Sequence, residues 1–122
     1  KTNNLDIPTI STEYKDTPCI YYLLYRNKVI KVGQAINVCS RFAGYRAEAN
    51  TYPEHRTNGS WRTVKKLYEI MDVGETIEVY ADFIKIKKQY EIHEGRRIYL
   101  TVDLRKIESK EQDKYRETLL LK

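Results

Sequence analysis

Little in this chain would suit a disulfide-stapled, metal-folded or membrane-spanning protein. Its 122 residues include 2 Cys, 3 Pro, 5 Gly, 2 His, 1 Met and 1 Trp. Cys19 and Cys39 are too few for a disulfide framework and fit no zinc spacing. A bridge between them is open in principle, but they read better as reduced thiols of a cytoplasmic protein. The two histidines, His55 and His93, lack paired carboxylate spacing and make weak metal candidates. No apolar run approaches the roughly 20 residues of a membrane span, so no membrane role is expected. The first residues have neither an initiator Met nor the layout of a signal peptide, as in a trimmed chain.

What is present is an ordinary globular composition, 41% hydrophobic and 32% charged, of a length that suits one core. Lys and Arg number 22 against 17 Asp and Glu, a net charge of +5. A basic surface attracts polyanions, although this excess alone does not single out nucleic acid. Tyrosine is abundant, at 11 residues.

Residues 1–18, punctuated by Pro8 and Pro18, read as an irregular lead-in, and 19–122 as a single domain. Residues 19–25 form an aromatic, apolar strand. A short turn at Arg26-Asn27-Lys28 leads to a second strand over Val29–Val32, and the pair reads as a hairpin ended by Gly33. Helical spacing covers 36–49, with Ile36, Cys39, Phe42 (or Ala43) and Arg46 or Ala47 on one side. A loop over 50–60 follows. Ser60 then caps a helix over 61–71 with Val64, Leu67, Tyr68 and Met71 on its apolar face. A third strand spans 76–81. A second hairpin runs over 84–93, turns at Glu94-Gly95 and returns over 97–102. A last helix covers 104–122. The expected class is α+β: a small antiparallel sheet of three core strands plus an added hairpin, flanked by helices.

Cys19-Ile20-Tyr21, then Lys31-Val32-Gly33-Gln34-Ala35, then Asn37 and Arg41, resembles the signature of the GIY-YIG nuclease superfamily. Its members carry a Tyr-ending triplet on a first strand and a Tyr-Ile-Gly triplet on a second. An arginine follows on the next helix and a glutamate on a late one. Here Cys19 stands for the first glycine and Lys31 for the second tyrosine. Tyr45 stands where many relatives have histidine.

The resemblance implies a divalent-metal-dependent endonuclease that hydrolyses DNA phosphodiester bonds, in a restriction, phage, mobile-element or repair setting. Such chemistry needs a base for the attacking water, positive charge for the developing phosphate and usually a metal. Tyr21 is the expected general base, with Lys31 and Arg41 favouring its phenolate and stabilising charge at the phosphate. Tyr45, one turn after Arg41, contacts phosphate or the catalytic tyrosine. The late helix offers Glu108, Glu111 and Glu117; the expected Mg²⁺ (or Mn²⁺) ligand is Glu117, which has Leu120 and Leu121 at the offsets relatives show, with Glu111 as its rival.

Tyr21 and Lys31 can cooperate only if they share a face. A three-residue turn at 26–28 sets Leu23 opposite Lys31 and achieves this; a two-residue turn would separate them. Lys85, Lys87, Lys88, Arg96 and Arg97 form a basic edge on the second hairpin that would track a DNA backbone. Other readings of the chain are a catalytically inactive nucleic-acid-binding module of this fold and a protein-interaction domain. A monomer would nick one strand, whereas cutting both needs a homodimer or two visits.

Overall fold

The central strand carries the whole arrangement, because its alternate side chains feed two different cores. In the computed structural model, which describes residues 5–53, 59–72, 74–84, 90–99 and 103–121, β1 (Cys19–Tyr25) lies between β2 (Lys28–Ala35) and β3 (Glu78–Phe83), antiparallel to both. Cys19, Tyr21 and Leu23 point to one face, where they join Phe42 and Tyr45 of α1 (Val38–Thr51) and Val64 and Leu67 of α2 (Gly59–Ile70). Ile20 and Tyr22 point to the other face with Val32, under Leu104 and Ile107 of α3 (Leu104–Lys114). A separate two-stranded sheet pairs β4 (Tyr90–His93) with β5 (Arg96–Tyr99) about the Glu94-Gly95 turn. The α+β class and the small antiparallel sheet with its added hairpin are therefore present.

The first hairpin reaches its register by a route other than the expected one. Its turn has two residues, Arg26 and Asn27, both at positive φ (51° and 65°), with Tyr25 paired to Lys28. Such a mirror-image turn matches the strand twist, and Asn tolerates it well. The Arg26 guanidinium meets Glu75 at 2.9 Å. Alone, this turn would put Tyr21 and Lys31 on opposite faces. A β-bulge corrects the count: Leu24 pairs with Val29 and Leu23 with Lys31, leaving Ile30 as the extra residue.

Several element bounds differ from the sequence expectation. The first helix starts at Val38, capped by the Asn37 side chain, which accepts from the Ser40 N–H at 3.1 Å. Ile36 therefore lies outside it, 71% exposed, and the buried stripe is Val38, Phe42, Tyr45 and Ala49. The second helix begins at Gly59, so Ser60 lies inside it. The last helix stops at Lys114. Beyond it the chain turns back to the outer edge of β2, where Thr118 Oγ1 donates to the Val29 carbonyl at 2.6 Å and the Leu120 N–H to that of Ile30 at 2.9 Å. The lead-in packs on the domain: Ile7 is buried, and Arg46 donates to the Pro8 carbonyl at 2.8 Å.

Candidate active site

Tyr21 is fully buried, and its ring lies across β2 at Gly33, its strand partner. A Cβ at position 33 would fall 2.5 Å from the Tyr21 hydroxyl, so only glycine lets the phenol cross there. The hydroxyl then meets that of Tyr45 at 2.5 Å. Phe42 stacks edge-on against both rings, with centroids 5.4 Å from Tyr21 and 5.2 Å from Tyr45. Arg41, one turn before Tyr45, lies close enough for its charge to act on both phenols. Tyr21 and Tyr45 thus share a buried hydrogen bond, with the Arg41 charge beside them.

The cluster's electrostatics run against the expected phenolate. Burial pushes the Tyr21 phenol far above its ordinary range and Tyr45 adds to this; Arg41 opposes both without prevailing. Arg41 itself is held charged: burial works against its charge, and the two phenolic oxygens outweigh that.

Arg41 also lines an open hollow of about 610 Å³ beside the end of β2. Because β2 is an edge strand, groups from both faces of the sheet meet there. Gln34, Asn37, Ser40 and Ser60 contribute polar groups, and α3 contributes Glu108. The Gln34 amide donates to Glu108 Oε1 at 3.2 Å.

Of the three late glutamates, Glu108 alone shares this hollow. Glu111 lies on the α3 face, accepting from Tyr22 at 2.8 Å, while Asp82 stands 3.1 Å from the same hydroxyl. Glu117 falls in the turn beyond α3, exposed, beside a separate hollow lined by Asp113 and Arg116. Glu117 leaves the helix face because the chain is drawn off its helical path to bond Val29 and Ile30. The sequence pattern could not single out Glu108, since the positions three and four residues later are Glu111 and Gln112 rather than apolar residues. Its one sequence cue is its place four residues after Leu104, beside the stripe that faces the sheet.

Lys31 shares a face with Tyr21 by register and is half-buried, yet it does not line the Arg41 hollow. Arg96 and Arg97 are exposed on β5. Lys85, Lys87, Lys88 and His55 lie outside the described residues. Among the described residues, no group of three or more His, Cys, Asp or Glu gathers to hold a metal ion. Among the described residues lining the hollow Glu108 is the one carboxylate, too few donors for a zinc or calcium cage. No helix among the described residues is long and apolar enough to cross a membrane.

No protein-family model, curated protein or solved structure matches this chain.

Proposed function

We propose that this chain is a divalent-metal-dependent endonuclease of the GIY-YIG type, acting on DNA phosphodiester bonds inside the cell. The observation that carries this reading is Arg41, which stands beside the buried Tyr21–Tyr45 pair and lines an open hollow that also holds one carboxylate, Glu108. Arg41 grips the scissile phosphate through its planar fork and remains charged while doing so. Glu108, rather than Glu117 or Glu111, would hold the Mg²⁺ or Mn²⁺ ion, which supplies positive charge to the developing phosphate. Lys31 adds charge along the Tyr21 face, and Arg96 and Arg97 track the backbone away from the chemistry. Tyr21 would serve as the base only when its buried hydroxyl, which does not line the hollow, is opened to water. Its raised pKa leaves few molecules with a phenolate at neutral pH, so the cleavage rate climbs with pH through the neutral and alkaline range.

The same burial of Tyr21 favours a second reading, a nucleic-acid-binding module without catalysis. Plasmid incubated with the protein and Mg²⁺ or Mn²⁺ separates the two. Cleavage that disappears in Tyr21→Phe, Arg41→Ala and Glu108→Gln while binding persists supports the enzyme. Salt-sensitive binding with no cleavage under either metal supports the module, and no binding at low salt rejects both.

A further inference from the structure

The Tyr21 cluster depends on Gly33 standing opposite Tyr21, and the hairpin turn alone does not put it there. Counting one-to-one from the Tyr25–Lys28 pair, Tyr21 would face Val32, and Gly33 would pass to the other face opposite Ile20. A branched side chain would then stand where the phenol crosses β2. The extra residue Ile30 shifts the count by one and restores Gly33. A bulge leaves backbone groups outside the ladder, and buried carbonyls without donors are costly. Here they are met from outside the sheet: Thr118 Oγ1 donates to the Val29 carbonyl at 2.6 Å, and the N–H groups of Leu120 and Leu121 converge on that of Ile30 at 2.9 and 3.2 Å. Further along the same edge, Gln112 Nε2 donates to the Val32 carbonyl at 3.2 Å.

We propose that the segment from Thr118 to Leu121 is a register clamp that holds the bulge at Ile30, sets Gly33 opposite Tyr21 and so assembles the Tyr21–Tyr45–Arg41 cluster. Thr118, Leu120 and Leu121 are positioning residues, acting on the site through β2 without touching it. Anything that peels this segment from β2 would dismantle the site while leaving most of both cores in place. The clamp's weight in catalysis rests on the nuclease reading; the clamp itself does not.

NMR of the full chain tests it by reading strand register rather than cleavage. In Thr118→Val, which keeps the side chain's shape, a population appears with backbone contacts between Tyr21 and Val32. Each hydrogen bond lost from the clamp shifts the ratio of registers by about fivefold. Thr118→Ser restores the native register. A folded Thr118→Val chain that keeps only the Tyr21–Gly33 contact overturns the proposal. That includes the case in which the turn grows to three residues and Ile30 swings to the α3 face. Hydrogen exchange on the unaltered chain supplies a reading that no folding defect can obscure. The Leu120 and Leu121 amides are expected to exchange in step with those of β2; exchange about 100-fold faster would mean that the segment opens without loss of register, and would also overturn the clamp. A confirmed register shift without effect on DNA cleavage would count against Tyr21 as the base and leave the clamp standing.

Discussion

Tyr21 and Tyr22 are adjacent in the chain and identical in chemistry, yet they live on opposite faces of the sheet in opposite company. Tyr21 is sealed among Phe42, Tyr45 and Gly33, with the Arg41 guanidinium as its charged neighbour. Tyr22 points to the α3 face, where its hydroxyl stands between the carboxylates of Glu111 and Asp82. Both phenols are driven upward in pKa, chiefly by burial; Arg41 resists this for Tyr21, whereas the two carboxylates reinforce it for Tyr22. One face therefore sets a cation beside its phenol, while the other sets two carboxylates beside it. Alternation along a strand converts a single step in sequence into this reversal.

The largest test of that contrast is catalytic. Arg41→Ala or Glu108→Gln should lower DNA cleavage by about 10²–10³-fold, the usual loss when a charge-stabilising group is removed. Glu111→Gln, on the same helix but outside the hollow, should change it little. Equal losses from all three in a single-turnover assay would erase the distinction between the Arg41 hollow and the Tyr22 site.

Gly33→Ala comes next. Its methyl overlaps a rigid buried ring, so a loss of about 3 kcal/mol is expected in urea unfolding, at the upper end of overpacking costs. The Tyr22 side should keep its native environment, since Gly33 and Tyr21 share the other face.

The hydroxyls themselves sharpen the comparison. Tyr21→Phe leaves the buried Tyr45 hydroxyl without its phenolic partner and should cost about 1–2 kcal/mol. Tyr22→Phe should cost less, below about 1 kcal/mol, because Glu111 and Asp82 reach solvent and can exchange the phenol for water. Denaturation midpoints of the two variants decide the order.

Alkaline pH acts on both faces at once. An unfolded tyrosine ionises near pH 10. In the folded chain Tyr21 and Tyr22 resist ionisation, so the stability they contribute is fully present below about pH 10. It declines as pH rises further, because the unfolded state then loses protons that the folded state keeps. Absorbance titration should show these two phenols ionising only with unfolding. The smallest effect concerns the thiols. Cys19, pushed up to about 11 by burial, should resist alkylation at pH 8 until the chain unfolds. Cys39, only partly buried, should react first.

Much of the fold was legible in advance because it is local. The aromatic run 19–25 could hardly be anything but a strand, and the apolar spacing of Val64, Leu67 and Met71 specified the second helix. Arg41 and Tyr45 were legible as a pair because four residues make one helical turn. The acid was not. The end of α3 depends on where the following residues find hydrogen-bond partners, and nothing near Glu117 in sequence reveals that those partners lie on β2. The stripe of α1 was misplaced for a related reason: the cap at Asn37 starts the helix after Ile36 and rotates its buried face onto Val38.

By itself the sequence determined most of the strands and helices, though not where the last helix ends, and it placed a tyrosine, a glycine and an arginine at spacings from which a cluster could be made. Periodicity and capping act within a few residues and need no distant partner. The tertiary structure alone decided that the cluster forms. A two-residue turn and a one-residue bulge must act together to bring Gly33 under Tyr21, and the donor that holds Val29 at that bulge comes from Thr118, 89 positions away. Backbone carbonyls carry no residue identity, so such a bond leaves no mark in the sequence from which it could be foreseen.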